Sequence, residues 1–164
     1  MIFSRRWLTH HGPEILNPFN PEHVNPASID ICIGATYQFE GQPVKRFADT
    51  PQHPLVEVAP GQRVLVATME AITVPLYVAV ELRLKSTCAR AGWNHALAFW
   101  FDPGWSGIGT MELINSNQRE TLEMYAGMPI GQLIFHRLDE PVTADTAYKG
   151  RYQGAQAVEG AKCG

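Results

Sequence analysis

Between residues 28 and 138 the chain is written as short apolar runs, each stopped by a turn signal. Residues 28–33 alternate strictly and stop at Gly34. Residues 55–58 stop at Pro60-Gly61, and residues 63–67 follow at once. Residues 78–84, 110–114, 120–125 and 130–138 continue the series. Between them stand Asp102-Pro103-Gly104, Ser106-Gly107, Asn115-Ser116-Asn117 and Ala126-Gly127. Many short strands at about 8–12-residue spacing predict an all-β sandwich or barrel. Fourteen glycines and twelve prolines in 164 residues favour such a turn-rich fold over a helical bundle. No internal repeat is present, which sets solenoids aside.

The two ends read differently. Residues 1–26 hold Pro13, Pro18, Pro21 and Pro26, and suit a short helix over residues 3–9, ended by Gly12-Pro13, followed by an extended arm. After Pro141 the chain turns polar and glycine-rich, a tail over residues 141–164 that needs a surface to order it. The length suits one domain over residues 1–164.

Composition narrows the partners. A net charge of −3 and a pI near 6.0 argue against a broad basic face for DNA or RNA. Any phosphate is held by a few local Lys and Arg side chains. Charged residues make up 18%, below the roughly 25% of typical domains, which suggests that partners cover much of the surface. Cys32, Cys88 and Cys163 form no CxxC pair and no disulfide framework, as expected for a reducing cytoplasm. The longest apolar run, residues 74–80, includes Pro75 and is far short of a membrane span, and the N-terminus carries no signal-peptide pattern.

Several chemistries lack their residues. No HxE followed by PCxxC is present, and no GxSxG, HExxH or Walker A loop. Six histidines are dispersed, and the adjacent side chains of His10 and His11 diverge. What remains is Lys85-Ser86-Thr87-Cys88-Ala89-Arg90, two cations and two hydroxyls at the end of an apolar run. It reads either as an anion cradle or as a solvated turn. Glu112 sits in a strand pattern with Met111 and Leu113 on the opposite face. Facing outward it is a surface charge; facing inward, burial raises its pKa and makes it a candidate general base.

These segments in order carry a resemblance. Asn25-Pro26-Ala27-Ser28-Ile29-Asp30, then residues 85–92, Phe101-Asp102-Pro103-Gly104-Trp105-Ser106-Gly107 and Met111-Glu112-Leu113-Ile114-Asn115 resemble the dCTP deaminase family, relatives of the trimeric dUTPases. Residues 127–133 and Gly150-Arg151-Tyr152-Gln153-Gly154 extend the match to about residue 156. The resemblance implies a distorted β-barrel or jelly roll of the dUTPase-like β-clip kind. It implies a homotrimer with active sites between subunits, a triphosphate bound with Mg²⁺, and cytosine deaminated at C4 without zinc.

On this carry-over Glu112 is the catalytic base, with Ser86 and Arg90 beside the base and phosphates. Lys85, Thr87, Cys88 and Ala89 complete the nucleotide-binding segment. Asp102 lies under the sugar, and Thr110 and Met111 offer backbone contacts to the cytosine edge. Gln132, Tyr148, Arg151 and Gln153 reach the nucleotide, some of them from a neighbouring subunit. The resemblance also implies that the tail covers the active site. Leu97-Ala98 stand where the family often has Thr-Ala before the Asp-Pro-Gly turn. Substrate identity therefore stays open between dCTP, a modified dCTP and a uracil nucleotide. The alternatives are a dUTP pyrophosphatase, a bifunctional dUMP-forming deaminase, and a non-catalytic nucleotide-sensing relative. The implied setting is cytoplasmic nucleotide metabolism.

Overall fold

The computed structural model describes residues 1–47, 55–96, 98 and 100–162. Helix α1 (Arg5–Ile15) leads into β1 (Leu16–Asn17) and a single 3₁₀ turn, Pro21–His23. The strands that follow are β2 (Ile29–Phe39), β3 (Lys45–Arg46), β4 (Val56–Val58), β5 (Arg63–Thr73) and β6 (Val78–Leu84). After helix α2 (Ser86–Ala91) come β7 (Trp93–His95), β8 (Trp100–Phe101), β9 (Ser106–Asn115), β10 (Leu122–Met124) and β11 (Pro129–Arg137).

Strands β7-β9-β5-β2-β11-β6-β8 form one antiparallel sheet, with β1 on β5 and β3 on β2, while β10 and β4 pair separately. The first part of β2 pairs with β11 and the remainder with β5, so the sheet curls into a half-barrel around β2. Inside the curl lie Ile31, Ile33, Val66, Met111, Leu113, Leu133 and Phe135, all fully buried. Burial of this apolar surface at about 25 cal/mol per Å² is what drives the sheet closed. Phe135 and Leu133 on β11, and Met111 and Leu113 on β9, each occupy alternate positions of their strands, as a period of two requires.

The all-β expectation holds, and residues 78–84 form β6 as predicted. Several boundaries move. Strand β2 does not stop at Gly34 but runs five residues further. A Cβ at Gly34 would collide with the Thr68 carbonyl, so the glycine marks a close approach of two strands rather than a turn. Strand β5 likewise continues beyond residue 67 to Thr73, with register irregularities against both neighbours. Helix α1 runs through Gly12-Pro13. Leu8, Gly12 and Ile15 are its buried face, and the Phe19 ring fills the space where a Gly12 side chain would stand. Burial of one helical stripe outweighs the local breakers there.

Of the 85–90 segment, Ser86 onward belongs to helix α2 (Ser86–Ala91) rather than to a turn, with Lys85 as its extended N-cap. Among the described residues beyond Pro141 there is no regular element, yet the surface that orders this segment is the protein's own barrel. Val142 N–H donates to Leu76 O at 2.9 Å, Gly154 N–H to Ser106 O at 2.8 Å, and Ile108 N–H to Ala155 O at 2.7 Å. Ala155 and Val158 are buried.

Candidate active site

Strand β9 divides its side chains cleanly. Gly109, Met111, Leu113 and Asn115 face the core, whereas Ile108, Thr110 and Glu112 face a cavity of about 370 Å³. Glu112 is thus inward-facing but turned away from the core. Leu65 of β5 is its direct cross-strand neighbour, and Arg63, two residues back on the same strand, also lines the cavity. Trp100, Phe101 and Trp105 form an aromatic wall, with the Phe101 and Trp105 ring centroids 4.7 Å apart. Tyr148, Tyr152 and Glu159 of the tail close the far side.

The electrostatics single out Glu112. Its Oε2 is buried without a hydrogen-bond partner among the described residues. Burial pushes its carboxyl above the usual 4.5, while its own backbone N–H and the Arg63 guanidinium pull it partly back. A carboxylate with one buried, uncommitted oxygen on a residue that lines a cavity is equipped to take a proton from water. Asp102 stands at the cavity rim, its Oδ1 accepting from Trp100 Nε1 at 3.0 Å.

The tail is fixed over this cavity by two hydroxyls of the barrel. Glu159 N–H donates to Thr110 Oγ1 at 3.0 Å, and Val158 N–H to Thr36 Oγ1 at 3.1 Å. Tyr148 N–H donates to Pro103 O at 2.9 Å. Gln153 clamps the 102–106 turn, its Nε2 donating to Gly104 O at 3.0 Å and its Oε1 accepting from Ser106 N–H at 3.1 Å. Arg151 donates to the Lys162 carbonyl.

A family model described as dCTP deaminase-like matches residues 2–138. The chain belongs to that family. It is 32% identical to a dCTP deaminase of Thermococcus sibiricus over 88% of each chain. It is 34% identical to a dUMP-forming dCTP deaminase of Aquifex aeolicus over 94% of this chain and 89% of that one. The crystal structure of 2′-deoxycytidine 5′-triphosphate deaminase from Agrobacterium tumefaciens shares the fold. The TM-score is 0.66 at 16% identity over 83% of this chain, which spans 48% of that structure's length.

Against the family-derived expectations, Glu112, Thr110, Asp102 and Tyr148 gather at one cavity. Ser86, Thr87, Ala89 and Arg90 do not line it; their side chains stand exposed along α2. Lys85 is ion-paired with Asp30, which also accepts from Asn25 Nδ2 at 2.8 Å. Cys88 is buried, its Sγ 3.5 Å from Pro129 O, so its side chain has no free path to a ligand. Met111 is fully buried, which leaves only its backbone for any contact. Gln132 accepts from Ser28 Oγ at 2.8 Å, again outside the cavity.

Sequence reading missed Arg63, Trp100 and Tyr152. Arg63 enters through strand register: once Glu112 is placed opposite Leu65, the residue two before Leu65 shares its face. Leu97 lies outside the described residues, as does Cys163.

Proposed function

We propose that this chain is a dCTP deaminase, converting dCTP and water to dUTP and ammonia with Glu112 as the proton-transferring base. The observation that carries the reading is the half-buried Glu112 carboxylate, with Oε2 unpartnered among the described residues, on a residue that lines a cavity of nucleotide scale. The names of the relatives, dCTP deaminase and its dUMP-forming form, support the substrate class.

In this mechanism the cytosine sits against Trp100 and Phe101, its edge toward β9. Glu112 takes a proton from a water that attacks C4, giving a tetrahedral centre. The same carboxyl then returns the proton to the departing amino group, and ammonia leaves. Stabilisation of the tetrahedral centre calls for donors beyond Glu112. Ser86 and Arg90 are assigned that role, supplied by a neighbouring subunit.

Charge supports this assignment. A nucleoside triphosphate carries close to four negative charges, yet among the described residues lining the cavity Arg63 is the single cation. The exposed hydroxyls and guanidinium of α2, presented by a second copy in a homotrimer, supply what one chain lacks. Lys85, Thr87, Ala89, Gln132, Arg151 and Gln153 belong to the same nucleotide-binding reading.

Mg²⁺ enters with the nucleotide. The ion would be held mainly by phosphate oxygens and water, as Mg²⁺ commonly is with nucleotides. Its contribution is to neutralise phosphate charge. The assigned setting is cytoplasmic pyrimidine deoxynucleotide metabolism. Among the described residues no helix is long and apolar enough to cross a membrane.

Incubation with dCTP and Mg²⁺, followed by chromatographic separation of the nucleotides, tests the reading. Appearance of dUTP and ammonia supports it. Appearance of dUMP and pyrophosphate selects the dUMP-forming variant, which the similarity to the Aquifex aeolicus protein favours as the second reading. Tight dCTP binding with no product at high enzyme concentration would overturn it in favour of a nucleotide-sensing relative.

A further inference from the structure

Outside the lining of the Glu112 cavity, three side chains of different chemistry converge. His23 ends the 3₁₀ turn, Cys32 lies in β2 and Glu70 in β5, and their ligand atoms all lie within 4.8 Å of one another. None of the three lines the Glu112 cavity. Cys32 and Glu70 are each only 4% exposed, while His23 is partly open to solvent.

The basic side chain that acts on the Glu70 carboxylate is His23. Glu70 accepts from the Cys32 backbone N–H, at 3.1 and 3.3 Å to its two oxygens, and from its own backbone N–H. Among the described residues no ion pair engages it, and the nearby Lys85 is already committed to Asp30. A buried carboxylate is ordinarily paired with a cation or bound to a metal. The strand geometry is irregular here too: the β2–β5 register shifts after Ile33, and the β5–β9 register shifts between Ala67 and Ala71.

We propose that His23, Cys32 and Glu70 form a binding site for a borderline-soft divalent ion of the Zn²⁺ class. Imidazole nitrogen, thiolate sulfur and carboxylate oxygen are the ordinary zinc donors. In a tetrahedral zinc site such atoms stand roughly 3.3–3.6 Å apart, a contraction within reach of side-chain rotation. On binding, the Cys32 thiol loses its proton to solvent. The thiolate and carboxylate then carry two negative charges against the ion's two positive ones, and the buried complex is neutral. Water fills the fourth position on the side of His23, which is also the way in. The ion staples the N-terminal arm to β2 and β5 where the ladder is irregular. It is structural and takes no part in the deamination chemistry.

Metal-free full-length protein, prepared with a chelator and kept reduced, is titrated with Co²⁺. The expected result is a thiolate-to-cobalt charge-transfer band that saturates at one ion per chain and disappears when Zn²⁺ is added. A Zn²⁺ concentration 100-fold above its Kd raises Tm by roughly 5–10 °C. Cys32→Ser abolishes the band, and His23→Ala, on the partly exposed turn, weakens binding at least tenfold without endangering the fold. Absence of saturable binding at micromolar metal would overturn the proposal. So would a band that persists in Cys32→Ser, which would place the ion on another cysteine, or unchanged affinity in His23→Ala. None of these readouts depends on deaminase activity, so the proposal stands or falls apart from the proposed function.

Discussion

The backbone N–H of Val158 donates to the hydroxyl of Thr36 at 3.1 Å, across 122 positions of sequence and in a buried setting. One residue later, Glu159 N–H meets Thr110 Oγ1, on the strand that carries Glu112. The tail therefore reaches the cavity as an anchored strap. At residues 158–159 its tethers are side-chain hydroxyls, added to the backbone hydrogen bonds that hold residues 142, 148, 154 and 155.

The strap is expected to respond to loss of one hydroxyl. Thr36→Val keeps the shape of the side chain and leaves the Val158 N–H without a partner, a cost of about 1–3 kcal/mol if it stays buried. Thr36 does not line the cavity. Hydrogen exchange read by mass spectrometry should show faster exchange across residues 155–162 and little change in β5, β6 or β11. Uniform loss of protection across the barrel would show instead that Thr36 supports the core.

How far the sequence foretold this arrangement depends on which forces set each element. Strand β6 and the placing of Glu112 on the face opposite Met111 and Leu113 follow from alternation, whereas the cavity on that face depends on tertiary structure. Glycine misleads where its role is tertiary. Gly34 and Gly12 look like stops, but each makes room for a partner distant in the chain, the Thr68 carbonyl and the Phe19 ring. Arg63 joins Glu112 only through the β5–β9 register, and the convergence of His23, Cys32 and Glu70 depends on the curl of the sheet. Family resemblance placed Ser86 and Arg90 beside Glu112. Within one chain Ser86 and Arg90 lie outside the Glu112 cavity, and the proposed shared site assigns their role to a neighbouring subunit.

Mixed oligomers test this directly. Glu112→Ala chains and Arg90→Ala chains are each expected to be inactive as pure preparations. After subunit exchange, some sites combine an intact Glu112 from one chain with an intact Arg90 from another, and activity should return to a fraction of wild type. Light scattering should report a trimer. A monomer, or no recovery after confirmed exchange, would refute the shared site.

The raised pKa of Glu112 couples activity to stability. Burial favours its protonated form in the folded chain, so kcat/KM should fall on the acid side at a pH above the ordinary glutamate value of 4.5. For stability the sign is the reverse of a salt-bridged carboxylate. The folded state holds the proton more tightly, so the charged group costs stability at neutral pH and that cost vanishes as pH falls below the unfolded value. Glu112→Gln should therefore raise Tm at pH 8, and the gain should shrink toward zero near pH 4. A Tm difference independent of pH would show that the carboxyl is not under strain from burial.

The most direct measurement is steady-state turnover of dCTP by Glu112→Gln, with nucleotide affinity measured on the same preparation. The amide keeps the shape and hydrogen-bonding reach of the side chain but cannot accept a proton from water. Since a positioned base contributes roughly 10²–10⁴-fold, kcat should fall by that order while dCTP affinity stays within a few-fold of wild type. Near-normal turnover by a folded Glu112→Gln protein would contradict the assignment of Glu112 as the base.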